Sequence, residues 1–320
     1  MKTKRKLIIL SVIVVITVVL YLTIGLKLGN EKLVRYALSL RIPKVIVMLI
    51  VAFCIGGASM VFQSIINNTI VTPCLLGMNS LYTLIHTAVV FSLGSGSILA
   101  YNQNVSFVVD LALMAIIATF IYSYLFKKTK YNILYVLLIG TVMSSLFSSI
   151  QNTMIRVMDP NEYDALLVSL VASFSNINTE IIAVSVVVII AVIIVLRKEL
   201  KLLNVITLGK DQAINLGVDY DKTIRKLLLG VVIFIAVATA MVGPISFLGL
   251  IIANLARQLL KTYKHSYLIL GSVLFGMVVL IGGQLIVERI FVYSVPISVF
   301  ITVSGGIYFL YLLMAQRRRA

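Results

Sequence analysis

Residues 181–242 read IIAVSVVVIIAVIIVL, then RKELKLLNVITLGKDQAINLGVDYDKTIRK, then LLLGVVIFIAVATAMV. Two uncharged blocks, 181–196 and 227–242, enclose a charged insert, 197–226, that is too long for a tight turn. A membrane helix needs about 20 predominantly apolar residues, so each block with its flanks reads as a span and the insert as a loop outside the bilayer. Inside the insert the pattern predicts two short helical pieces. Gly209 closes the first after Leu208, and Gly217 the second after Leu216, each glycine able to take positive φ past a helix end. Ala213, Ile214, Leu216 and Val218 would give this loop an apolar face, which a solvated linker does not need and a docking partner would use.

The same alternation extends in both directions. Uncharged runs at 7–26, 45–62, 75–93, 105–126, 131–150, 244–256, 268–287 and 291–315 bring the candidate spans to ten. Hydrophobic residues make up 61% of the chain and charged residues 12%, against roughly 25% charged in an ordinary soluble domain. Such a chain cannot solvate its own surface. The expected fold is therefore an all-α polytopic membrane protein, a single transmembrane domain over residues 1–320. Run 7–26 follows Lys2, Lys4, Arg5 and Lys6. It is longer than the apolar core of a secretory signal and lacks a small-residue cleavage site, so it reads as the first helix.

Charge sets the orientation. With 165–174 held on one side and 244–256 crossing, both termini lie in the cytoplasm and 20 of the 27 Lys and Arg fall inside, as the positive-inside rule requires. Letting 165–174 cross leaves 8 inside and 19 outside, and withdrawing 244–256 leaves 15 inside. Ten spans in a cytoplasmic membrane is the arrangement expected. The net charge of +16 is accounted for by these short basic loops and does not point to nucleic acid. Cys54, Cys74, His86 and His265 show neither disulfide nor metal-ligand spacing. Asp110, the one acid within a run, lies near its start, where it would reach headgroups or water.

Three further stretches are polar or broken. Residues 63–79, QSIINNTIVTPCLLGMN, are turn-forming, and Gln63, Asn67 and Asn68 either line a pathway or cap the second helix. Residues 241–257, MVGPISFLGLIIANLAR, are interrupted by Gly243, Pro244 and Gly249. Pro244 lacks an amide donor, so a short helix entering from the outer side is predicted after it. On the outer side, Arg41 and Lys44 precede helix two, and Glu288 and Arg289 precede helix ten. These cations either anchor helix ends at the headgroups or receive acidic residues of an external protein.

Taken together, these stretches resemble the permease family that imports ferric siderophores, haem and cobalamin through ABC transporters. The family's arginine, leucine, proline, arginine pattern is similar to Arg41, Ile42, Pro43 and Lys44. Its next series falls on Gln63, Asn68, Pro73, Leu76 and Gly77. The leucine-glycine motifs fall on Leu208, Gly209, Ala213, Leu216, Gly217 and Val218, and the glycine-proline to arginine motif on Gly243, Pro244, Phe247, Gly249, Leu250 and Arg257. Departures are Lys44 for arginine, Thr69 for a proline, Ala253 and Asn254 for a proline-histidine pair, and a shortened segment 289–296.

The resemblance implies a transport subunit without catalysis of its own. A second permease subunit, identical or paralogous, would complete the path. Two cytoplasmic ATPase subunits, using ATP and Mg, would dock on the loop around Gly209 and Gly217. An extracytoplasmic binding protein would meet Arg41, Lys44 and Arg289. The chain carries no GxxxxGK[ST] run, so ATP hydrolysis belongs to another subunit. The expected cargo is a ferric siderophore, with haem or cobalamin as the alternative. A secondary transporter driven by an ion gradient is the rival class, and it would require intramembrane carboxylates.

Overall fold

The computed structural model describes residues 2–26, 31–94, 97, 102–129, 133–174, 178–292 and 295–317. In hydrocarbon every backbone donor must be satisfied within its own segment, and the apolar runs accordingly fold as helices. They are α1 (Lys2–Thr23), α2 (Glu31–Ile66), α3 (Met78–Leu93), α4 (Gln103–Lys128), α5 (Ile133–Val157), α6 (Pro160–Leu170), α7 (Glu180–Ile206), α8 (Lys210–Asn215), α9 (Tyr220–Val242), α10 (Leu248–Leu260), α11 (His265–Arg289) and α12 (Ile297–Arg317). No strand occurs among the described residues. Among the described residues six helices, α1, α2, α4, α7, α9 and α11, are long and apolar enough to cross a membrane, and α3, α10 and α12 are shorter apolar helices. The chain is an all-α polytopic membrane protein.

Helix α2 is the axis. It runs for 36 residues, about 54 Å at 1.5 Å per residue, well beyond a hydrocarbon core of about 30 Å. Its stretch from Val45 to Ile66 is almost wholly buried, enclosed by α7, α9, α10 and α11. A helix apolar on every side belongs inside such a bundle. The α2–α11 contact is close: Ser272 Oγ donates to the Gly56 carbonyl at 3.0 Å. A Cβ on Gly56 would sit 3.0 Å from the Val273 backbone, so the small residue is what lets the helices meet. Helix α1 leans on α11 and turns Ile9, Val12, Val15 and Ile16 outward, the face that lipid covers.

Several expected boundaries move. Arg41 and Lys44, expected in a loop, lie within α2, which continues through Pro43. Run 75–93 begins instead as a 3-10 turn, Pro73–Leu76, and α3 starts only after Gly77. Of run 131–150, residues 131–132 lie outside the described part. The segment 165–174 is largely the end of α6, which starts at Pro160 behind the Asp159 cap. Beyond it the Ser173 amide donates to the Val242 carbonyl at 2.9 Å. The insert 197–226 contracts to 207–219, because α7 continues to Ile206 and α9 begins at Tyr220. Charged residues such as Arg197 and Lys226 do not end a helix once it has left hydrocarbon; only caps and glycines do.

Candidate functional site

The loop 207–219 is built around two glycines. The first expected helical piece is the last turn of α7, and only the second, α8, is a separate helix. Between them Gly209 adopts φ 102°, ψ 165°, backbone territory essentially reserved for glycine. Its carbonyl accepts from the Ala213 amide at 3.0 Å, which starts α8. At the other end the Gly217 amide donates to the Ile214 carbonyl at 2.9 Å and the Val218 amide to the Ala213 carbonyl at 3.0 Å. With Gly217 at φ 79°, this is a Schellman C-terminus, in which the residues equivalent to Ala213 and Val218 also meet through their side chains.

That closure splits the apolar face expected of the loop. Ala213 is fully buried and Val218 packs against the core with it. Leu208, Ile214 and Leu216 point away from the bundle, 52%, 50% and 62% exposed. Polar contacts fix the platform. Lys210 Nζ lies 3.0 Å from Asp221 Oδ2, Asp219 caps α9 by accepting from the Lys222 amide at 3.1 Å, and Lys226 Nζ donates to Glu199 Oε1 at 2.6 Å across α7 and α9. At the same end Asn204 Oδ1 accepts from the His265 amide at 3.1 Å and Lys6 Nζ donates to the Leu259 carbonyl at 2.7 Å. The loop therefore shares its side of the bundle with the start of α1.

The opposite end gathers Arg41, Lys44 and Arg289. Arg41 Nη1 donates to the carbonyls of Tyr21, Leu22 and Ile24 at 3.2, 2.9 and 2.9 Å, and Arg289 also donates to the Ile24 carbonyl. Both guanidinium groups thus satisfy the orphan carbonyls at the end of α1, where a cation is favoured. Lys44 Nζ lies 3.5 Å from Glu288 Oε1, with both side chains largely buried. Tyr21 Oη and Gln284 Nε2 donate to the same oxygen at 2.7 and 3.1 Å. The sequence placed Glu288 and Arg289 together in an outer segment. It gave no sign that Glu288 is a buried hub, because Tyr21 is remote in the chain.

The polar stretch 63–79 meets the broken stretch 241–257. Gln63, 1% exposed, donates from Nε2 to the Thr69 carbonyl at 2.7 Å and accepts from Arg257 Nε at 3.3 Å. Asn254 Nδ2 reaches the same Thr69 carbonyl at 2.8 Å. Asn68 Oδ1 accepts from the Ile70 amide at 2.9 Å, and exposed Asn67 ends α2 at φ 52°. Gln63, Asn68, Asn254 and Arg257 form one knot that holds the turn after α2 against α10. Pro73 opens the 3-10 turn and Gly77 ends it at φ 89°, with Tyr122 Oη bonded to the Leu76 carbonyl at 2.7 Å. Gly243 (φ 91°) ends α9, Pro244 follows, and Phe247 (φ 61°) starts α10. Gly249 faces Ser59 so closely that a Cβ would run into its side chain.

Asp110 does not reach headgroups or water. It is 2% exposed, and its Oδ2 lies 2.7 Å from Nδ1 of buried His86, on whose ring Tyr82 stacks. The pair joins α3 to α4. Two lone ionisable residues in neighbouring apolar runs are a legible signal, since intramembrane charges pair.

The model of the FecCD transport family matches residues 6–315. The chain is 40% identical over 318 residues to the petrobactin import system permease protein YclO of Bacillus subtilis (strain 168), covering 99% of both chains. It is 31% identical over 277 residues to the petrobactin import system permease protein FatC of Bacillus anthracis, covering 87% of this chain and 78% of that one. Its fold superposes on a solved structure described as an inward-facing metal-chelate type ABC transporter with a TM-score of 0.80, 23% identity, and coverage of 98% and 99%. The chain belongs to the FecCD transport family. It is a membrane permease subunit of an ABC importer and not an enzyme.

Proposed function

We propose that this chain, as one domain over residues 1–320, forms half of the translocation path of an ATP-driven importer for a ferric siderophore. The observation that carries the coupling role is the loop 207–219: a glycine-bounded helix, too polar for hydrocarbon, that presents Leu208, Ile214 and Leu216 to the outside. Apolar side chains exposed on a rigid extramembrane platform mark a docking surface. Two cytoplasmic ATPases grip this loop on the two permease subunits, and their closure drives the helices between outward and inward openings. Each state then differs in contact free energy, as any driven transition requires.

The chain crosses the membrane ten times with both termini in the cytoplasm, the arrangement that puts 20 of 27 basic residues inside. The common side of the loop and of Lys6 agrees with it. At the outer end Lys44 and Arg289 hold helix ends. Arg41 uses only Nη1 for the α1 carbonyls, which leaves Nη2 and Nε to receive a carboxylate of the external binding protein. Gln63, Asn68 and Arg257 act as a structural knot, and Asn67 is the member of that stretch left exposed beside the path.

The siderophore is taken to be of the petrobactin type, the cargo named for both similar permeases above. Proteoliposomes carrying this chain, its partner ATPase and binding protein should accumulate ferric petrobactin only with ATP and Mg. Haem and cobalamin should not compete. Accumulation driven by a proton or sodium gradient without the ATPase would overturn the reading.

A further inference from the structure

Beside the platform, a cavity of about 450 Å3 opens between the end of α4 and the start of α9, lined chiefly by Phe126, Lys127, Lys210, Asp221, Arg225 and Leu228. Its volume falls in the range of small-molecule sites, roughly 300–1,000 Å3. Three cations face one carboxylate. Asp221 is taken by Lys210 at 3.0 Å, while Lys127 and Arg225 make no ion pair among the described residues. The cavity therefore holds two uncompensated positive charges. Its inner wall is apolar, formed by buried Phe126 and Leu228.

The position of the cavity narrows the ligand. Lys127 stands in the last turn of α4, and Asp221 and Arg225 stand in the first turns of α9, so the cations sit where two spanning helices leave the apolar slab. On α4, Ile116, Phe120 and Tyr124 recur four residues apart on one outward face, 68%, 77% and 64% exposed. This apolar track ends one turn before Lys127. A free phosphate would use the cations and leave the track idle. A molecule with an anionic phosphodiester and acyl chains would use both, with Arg225 able to grip two phosphate oxygens and the cations each adding attraction at headgroup depth.

We propose that this cavity seats the headgroup of one anionic phospholipid, with its acyl chains along Ile116, Phe120 and Tyr124. Because Lys210 lines the cavity and belongs to α8, the lipid also braces the platform. The inference needs only the membrane character of the chain and not the docking role of the loop.

The test uses the full-length permease in nanodiscs of phosphatidylcholine with rising fractions of phosphatidylglycerol, without ATPase. Expected are one phosphatidylglycerol retained per chain in native mass spectra and a thermal midpoint that climbs with its fraction. Lys127→Gln with Arg225→Gln should abolish both while leaving the midpoint in pure phosphatidylcholine unchanged. Lys198→Gln with Lys201→Gln, which removes the same charge elsewhere on that side, should preserve both. Three results would each overturn the proposal: an equal response in the two double variants, which means generic charge attraction; an equal midpoint rise with glycerol phosphate alone, which means a soluble anion; or a retained lipid response in the Lys127/Arg225 variant that, in a separate titration of the same nanodiscs with the ATPase, has lost ATPase affinity, which assigns the cavity to a partner carboxylate.

Discussion

Where α1 ends, Arg41, Lys44 and Arg289 are taken up by helix carbonyls and by Glu288; at loop 207–219, by contrast, Lys210 pairs with Asp221 and the leucines stand exposed. The end of α1 was marked by its cations and proves largely closed on itself. Loop 207–219 was marked by glycines and leucines and proves open. Charge at a helix end is first a structural resource, because orphan carbonyls and buried carboxylates claim it. Exposed apolar side chains on a rigid platform have no such internal claim.

The sharpest way to break this contrast is Lys44→Met. It removes the cation beside buried Glu288, which keeps its hydrogen bonds from Tyr21 and Gln284, and losing one partner of a buried pair costs up to about 3–5 kcal/mol. A marked drop in the thermal midpoint is expected, recovered by adding Glu288→Gln. An unchanged midpoint with weakened binding-protein affinity would make Lys44 a docking residue after all. The corresponding change at the open end, Leu216→Asp, should leave the midpoint where it is. It should weaken ATPase binding by tenfold or more, at about 1.4 kcal/mol per decade, measured by titration in nanodiscs.

Gly209→Ala meets no steric neighbour, since an added Cβ finds nothing within 4 Å. Only the backbone is taxed, by about 1–3 kcal/mol in this glycine-only region. Uptake per ATP hydrolysed should fall, and more than in Gly217→Ala, where the left-handed conformation costs about 1–2 kcal/mol. Equal coupling ratios for wild type and both variants would remove the glycines from the mechanism. The smallest effect is expected from Arg41→Gln. Its carbonyl contacts are partly exposed, so the midpoint should shift by a few degrees, while binding-protein affinity falls if Nη2 and Nε receive a carboxylate.

Much of this was readable in advance because the relevant physics is local. Run length and loop charge report the solvent of each segment, and glycines at 209 and 217 report positive φ. The sequence motifs around Gln63 and Arg257 pointed to special positions without revealing that the two stretches form one knot. Boundaries went astray where charge was taken to end a helix, as at Arg197 and at Arg41. Asp110 was placed at headgroups or water because its depth was judged from its own run alone, whereas His86 on the adjoining helix supplies the partner that makes burial tolerable.

Composition and periodicity by themselves determined the solvent, the helical class and the loop of interest, since hydrocarbon acts on each segment separately and allows it only one backbone solution. Which polar side chains are consumed internally and which remain available was decided by tertiary structure alone. Tyr21 meets Glu288, Gln63 meets Arg257 and Lys127 shares a cavity with Arg225 across large gaps in the chain, and no local pattern encodes the distance between them.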